Sequence, residues 1–238
     1  MRTSFIMTAG LALTGAACGP APQQSADREV SGVAFVRVVN AMPGGSPVDI
    51  FAGEKKVFNE VKPGWALPYR EVPRGMTTFR ARWAGHEKEA PVAENLEMLG
   101  HKEYSTILLS PSADGSSVEM TVFDDHEWAP SAGKAKVRII HTVPGLSDID
   151  LYSQGKKVLG GVDFRDESRY VEMDPAAGGL ELKRDDNQKT VATVSDLRLA
   201  ANQAYTVLLV GNKNKPRTIV LEDRVKEKPK IPAPITGS

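Results

Sequence analysis

The chain is expected to fold as an all-β protein, a tandem pair of antiparallel β-sandwich domains. Three observations predict this. The first is an internal repeat: Arg37–Phe51 (RVVNAMPGGSPVDIF) returns as Arg138–Tyr152 (RIIHTVPGLSDIDLY), an offset of 101 (138 minus 37). The second is the run of short apolar or alternating segments broken by Gly, Pro, Ser and Asn clusters, the pattern of a sandwich or barrel. The third is that no stretch sustains a long helical period.

The repeat sets the organisation before any local reading does. At an offset of 101, Lys55-Lys56-Val57 meets Lys156-Lys157-Val158, Tyr69 with Glu71 meets Tyr170 with Glu172, and Tyr104 meets Tyr205. After Ser110 the offset becomes 98, so that Val122–Asp125 meets Val220–Asp223, as a length change in one surface loop would produce. The expected domains are residues 33–126 and 135–225, joined by a linker over 127–134 that holds Pro130 and Gly133. A unit of this size buries a sufficient core unaided, so each repeat is expected to fold alone.

Taken in order, the first repeat predicts strands at Val33–Val39, Val48–Phe51, Lys55–Val61, Tyr69–Val72, Met76–Trp83, Pro91–Leu96, Glu103–Ser110 and Glu119–Asp125. Met76–Trp83 alternates, with Phe79, Ala81 and Trp83 on the face assigned to the core. The second repeat reads likewise, from Lys136–His141 to Thr218–Asp223. Tyr104 and Tyr205 open their strands in the manner of the tyrosine corner of immunoglobulin-like sandwiches, which suggests a structural role.

The repeat resembles the domain-of-unknown-function family 4397. The family's motif runs approximately R-V-x-H-A-S-P-x-A-P-x-V-D-V-Y, followed by a Gly-Lys hairpin and a G-x-x-Y-T-V strand. The second repeat carries it through Arg138, His141, Pro144, Asp150, Tyr152, Lys156, Val158 and Tyr205-Thr206-Val207. The first has Asn40 and Phe51 at the His and Tyr positions. The resemblance implies a secreted or surface-anchored sandwich, immunoglobulin-like or transthyretin-like, and carries no known reaction.

The N-terminus predicts export. Met1–Ser4 includes Arg2, and Phe5 to Ala17 is an apolar run too short to span a bilayer. Residues 1–17 therefore read as a signal peptide. Gly15-Ala16-Ala17-Cys18-Gly19 resembles a lipoprotein box, and Cys18, the single Cys of the chain, stands where acylation needs it. Ordinary secretion is the alternative. Residues 18–32 read as a lipidated Cys with a flexible tether, and residues 226–238 as a disordered Pro/Lys tail. The expected address is the bacterial envelope, with the lipid as membrane contact.

Composition limits the partners. The chain is 41% hydrophobic and 25% charged, with no formal net charge. Residues 33–126 hold 10 basic and 13 acidic side chains, and residues 135–225 hold 14 and 13. Neither has the basic excess of a phosphate binder, so nucleic acid is not an expected partner.

Sequence signatures of catalysis are missing. There is no G-x-S-x-G, H-E-x-x-H or G-x-x-x-x-G-K-[ST] run, and no cofactor, metal or enzymatic activity is expected. Asp124-Asp125-His126-Glu127 reads as a solvated strand end. The shared residues Arg37, Pro43 and Asp49, with Arg138, Pro144 and Asp150, read as structure: a Pro-Gly turn flanked by an Arg–Asp pair that clamps register. The functional alternative is a polar binding edge of His141, Asp148 and Asp150. Trp65, beside Gly64 in a Pro-bounded loop, is either a buried loop anchor or an exposed stacking platform. Two functions follow: a non-catalytic spacer or protein-interaction module of the envelope, or a module binding a glycan or other envelope ligand through the first domain.

Overall fold

A computed structural model describes residues 32–100, 103–125, 127–175, 179–195 and 197–226. The signal peptide, Cys18, the tether up to residue 31 and the tail from residue 227 lie outside these, as do His101 and His126.

Among the described residues all regular structure is strand. The first sandwich comprises β1 (Val33–Asn40), β2 (Val48–Ala52), β3 (Lys55–Val61), β4 (Ala66–Pro73), β5 (Met76–Trp83), β6 (Ala93–Met98), β7 (Tyr104–Pro111) and β8 (Val118–Asp124). One sheet runs β4-β1-β7-β8 and the other β3-β2-β5-β6. The second sandwich repeats the plan with β10 (Ala135–His141), β11 (Ile149–Ser153), β12 (Lys156–Val162), β13 (Val171–Met173), β14 (Leu180–Arg184), β15 (Thr190–Val194), β16 (Ala204–Asn212) and β17 (Lys215–Asp223). Its sheets run β13-β10-β16-β17 and β12-β11-β14-β15. β1 pairs in parallel with β7, and β10 with β16, while the other pairings within the sandwiches are antiparallel. Four strands on four differ from the seven-strand ABED/CFG order of an immunoglobulin constant domain. The sandwich is of the transthyretin-like form.

Each sandwich encloses its own apolar core. Val36, Val38, Ile50, Phe58, Phe79 and Ile107 meet in the first, and Val137, Ile139, Leu151, Leu182 and Val207 in the second. Trp83 packs against the first core, partly buried. A third cluster joins the two: Val39, Ala41, Leu108 and Phe123 of one sandwich pack on Ile140, Leu208 and Val210 of the other. The outer faces of the two parallel-paired sheets are thus pressed together. β1 and β10 are therefore buried on both faces, as their nearly unbroken apolar sequences require.

Each repeat has its own core, but the joint adds a shared apolar face that either half would expose alone. Full burial of one Leu, Ile or Phe is worth about 1.5–3 kcal/mol, and each half alone would expose several. The linker is also tied down. Within it β9 (Glu127–Trp128) pairs in parallel with β18 (Val225–Lys226), which follows β17.

The register corrects one sequence equivalence. Arg37 stands opposite Thr106 on β7, and Arg138 opposite Thr206 on β16, so these strands correspond at an offset of 100 (206 minus 106). Tyr104 therefore aligns with Ala204, not with Tyr205. A slip of one residue turns a side chain to the other face. Tyr205 points into the second core, where its hydroxyl accepts from the Ala200 amide at 3.0 Å, the tie to upstream backbone expected of a tyrosine corner. Tyr104 instead stacks on Phe35 at 5.1 Å and meets Tyr69 edge-on at 5.2 Å.

Candidate functional site

The shared Arg residues do not pair with the shared Asp residues beside them. β1 and β2 lie in different sheets, so Arg37 and Asp49 face apart, and β10 and β11 separate Arg138 from Asp150 in the same way. Asp49 accepts from Lys56 Nζ at 2.6 Å and from the Glu60 amide at 2.8 Å. Asp150 accepts from the Gly161 amide at 3.1 Å and pairs with Lys157 at 2.8 Å. Both carboxylates are buried and hold the bulged hairpin after their own strand.

The Arg residues cross instead into the opposite sandwich. Arg37 binds Asp223 through Nη2, and Arg138 binds Asp125 through Nη2. Each Nε donates to a Thr on the next strand, Thr106 at 2.7 Å and Thr206 at 2.8 Å. Each guanidinium lies over a Tyr ring, Tyr69 at 4.9 Å and Tyr170 at 4.8 Å. Those two Tyr hydroxyls donate to Asp125 and Asp223, both at 2.9 Å. Burial holds the Tyr69 and Tyr170 hydroxyls far above the usual phenol range, reinforced by the nearby carboxylates. The joint thus has internal two-fold symmetry, with two Arg and two Asp balancing in charge. Asp125 is completely buried, contrary to the reading of its run as a solvated strand end. The signal was present in the repeat: Tyr69/Tyr170 and Asp125/Asp223 are conjugate positions, but nothing local shows that they meet.

The symmetry creates a groove on each side of the joint, and the two differ. One is lined by Asp124, Glu127, Lys136, Arg138, Glu167, Ser168, Arg169 and Tyr170. Its polar groups satisfy one another: Lys136 donates to Glu127 at 2.7 Å and to the Trp128 carbonyl at 3.0 Å, and Arg138 Nη1 donates to Glu167 at 2.7 Å. The other has a volume of about 450 Å³ and is lined by Arg37, residues 66–69 and residues 220–224. Here Ala66 replaces Glu167, Leu67 replaces Ser168 and Pro68 replaces Arg169. A bulge in β4 between the partners of Val36 and Val38 shapes this wall.

Trp65 precedes Ala66 and is 50% exposed, with Lys62 Nζ 4.9 Å from its ring. It is not a buried anchor. Gly64 before it has φ +79°, and the guanidinium of Arg217 from the second sandwich occupies the space a side chain would need. At the symmetric crossing Arg165 pairs with Glu119.

The proposed edge of His141, Asp148 and Asp150 does not form. His141 is fully buried, with Nδ1 accepting from the Val143 amide at 3.3 Å and its ring edge-on to Phe164. Burial pushes its pKa down to about 4, against the pull of Asp163. Asn40 plays the same part in the first repeat, its Oδ1 accepting from the Met42 amide at 3.2 Å, which explains why Asn and His exchange here. Asp148 stays at the surface, its carboxyl held above the usual range by partial desolvation and by the charges of Asp163 and Asp185. Pro43 and Pro144 open the loops that follow β1 and β10. Among the described residues no group of three or more His, Cys, Asp or Glu is placed to hold a metal.

A family model, Domain of unknown function (DUF4397), matches residues 34–145 and again 135–233. No curated protein matches the chain by sequence. Among solved structures, a streptococcal virulence factor described as binding alpha-glucan is 12% identical, with 74% of this chain and 92% of that chain covered and a TM-score of 0.24. The Bacillus anthracis TIE protein is 10% identical over 81% of this chain but only 34% of its own, with a TM-score of 0.22. A candidate cell adhesion protein from Bacteroides ovatus is 12% identical over 82% and 98%, with a TM-score of 0.20. At such scores these three chains inform neither ligand nor partner here.

Proposed function

The chain belongs to the family Domain of unknown function (DUF4397), twice over, and from that premise we propose that it is a non-catalytic binding module of the cell envelope whose ligand site is the groove between its two sandwiches. The observation that carries this is the asymmetry of the duplicated groove. The copy beside Arg138, about 340 Å³, has its polar groups paired with one another, and the copy beside Arg37, about 450 Å³, presents Ala66, Pro68 and Leu221 over a buried Arg37. Volumes of this order suit a small ligand. The exposed Trp65, next in the chain to the groove residue Ala66, supports a ligand reading over that of a bare spacer. The site draws on both sandwiches rather than on the first alone.

Acylation of Cys18 would hold the module at a membrane. The expected result of Cys18→Ser is release of the protein into the soluble fraction. Retention in the membrane fraction at high salt would contradict the anchor.

The groove is tested in cells with a photo-crosslinking residue placed at Pro68 or at its counterpart Arg169. Adducts are expected from position 68 and not from 169. Equal labelling, or none at either, would remove the groove from consideration.

A second reading rests on Met76, Leu96 and Met98. They stand exposed on the outer face of β5 and β6, with Met76 opposite Met98 at a sheet edge. This flat apolar patch favours a protein contact. Leu96→Lys should then abolish crosslinks formed from Met76 while leaving those from position 68 intact.

A further inference from the structure

We propose that the open groove holds a carboxylate-binding subsite at Arg37 Nη1, which takes a small organic acid with an apolar body. The inference rests on the groove reading above and names its ligand chemistry. The second half of the molecule supplies the reasoning, because it fills the same position with its own side chain.

Val39 pairs with Ala66 in the first sandwich, and Ile140 bridges to Glu167 in the second. Ala66 and Glu167 are therefore equivalent in space as well as in sequence. A guanidinium carries five N–H donors. Arg138 directs them to Thr206, the Asp124 carbonyl, Asp125 and Glu167. Arg37 reproduces the first three contacts with Thr106, the Glu222 carbonyl at 3.0 Å and Asp223. The fourth contact has no counterpart, because Ala66 ends at Cβ. Arg37 is 4% exposed and lines the groove, so its remaining Nη1 donor faces the space that the Glu167 carboxylate fills on the other side.

A carboxylate from outside completes the pattern. It would accept a charge-assisted hydrogen bond from Nη1 where Glu167 accepts one at 2.7 Å. A third carboxylate already stands beside the two Arg–Asp pairs: Glu167 binds Arg138, although burial and the neighbouring acids Asp125, Asp124 and Asp166 raise its pKa. Arg224, exposed at the groove, adds positive charge that offsets the exposed Glu222 beside it. The rest of the ligand meets Ala66 and Pro68, where the other groove has Glu167 and Arg169, together with Leu221, so an apolar body fits better than a sugar. The groove is of small-molecule size, which favours a free acid over an extended peptide.

The test uses the mature chain carrying Cys18→Ser, with sodium hexanoate as probe, hexanol as neutral control, and N-acetyl-leucine and glucuronate as further arms at matched ionic strength. Chemical shifts of the Arg37 Nε–H and the Ala66 amide are followed. Hexanoate should bind about tenfold more tightly than hexanol, the factor expected of one charged hydrogen bond, and more tightly than glucuronate. N-acetyl-leucine binding more tightly than hexanoate would overturn the free acid in favour of a peptide terminus. Ala66→Glu should abolish the hexanoate shifts without lowering the melting temperature, because it rebuilds the pairing of the other groove. Glu167→Ala should create a new hexanoate response at the Arg138 Nε–H, and it decides alone if Ala66→Glu does not fold. Equal binding of hexanol, an unchanged response in Ala66→Glu, or silence at Arg138 in Glu167→Ala overturns the subsite. Silence toward hexanoate with crosslinking retained at position 68 rejects the carboxylate but keeps the groove. Silence in both rejects the groove itself.

Discussion

Arg37 and Asp223, 186 residues apart in the chain, meet as a buried ion pair between the two sandwiches, and Arg138 and Asp125 meet as its mirror. Asp223→Ala should leave Arg37 charged and buried with only Asp125, which lies 3.2 Å from its Nε and is already paired with Arg138, at a cost of about 3–5 kcal/mol. Replacing both by apolar residues of similar size, Arg37→Met with Asp223→Leu, should cost far less. Urea melts of the full chain measure both. Equal losses would mean that the charge is not what the joint depends on.

The joint makes the halves interdependent. Residues 33–128 and 135–226 expressed separately should each self-associate through the face bearing Val39, Leu108 and Phe123 or Ile140 and Leu208, and should form a 1:1 complex on mixing. Size-exclusion chromatography with calorimetry reads this. Two monomeric halves with no affinity for each other would contradict it.

Asp150→Ala should cost about 0.5–1.5 kcal/mol, the range for one lost hydrogen bond, here the part-buried one from the Gly161 amide. Lys157, half exposed, can return to water. Because Asp150 does not touch Arg138, its effect should add to that of Arg138→Met within about 0.5 kcal/mol. Strong coupling in this double-mutant cycle would restore a direct clamp.

His141 makes stability depend on pH. Its folded pKa, pushed down to about 4 from 6.5, means that the unfolded chain binds more protons between those values. Stability should therefore be full above pH 6.5 and fall on acidification toward pH 4, with a slope of at most about 1.4 kcal/mol per pH unit from this group. His141→Asn, which copies Asn40, should keep the acceptor for the Val143 amide and flatten that part of the profile. Urea melts at several pH values compare the two.

Much of the architecture was legible in the order of residues alone. A duplicated module, short strands, turn positions and the inward face of β5 all follow from periodicities of two and from Gly and Pro, which act within a few residues of each other. His141 and Asn40 illustrate the limit of that reading. Their shared place in the repeat was visible, but burial beneath the loop, which removes them from any binding edge, was not.

What the tertiary structure alone decided is which surfaces face each other. Arg37 and Asp49 are neighbours in sequence, and a local reading pairs them. The fold sends β1 and β2 to different sheets and brings Asp223 from the far end of the chain to Arg37. The difference between Ala66 and Glu167 is equally plain in the sequence and equally mute there. It acquires meaning only when the two-fold joint sets both residues beside equivalent Arg side chains, one supplied with a carboxylate and the other left with a donor facing the groove. Partner choice across such a joint depends on packing two whole faces together, and no short-range pattern encodes that.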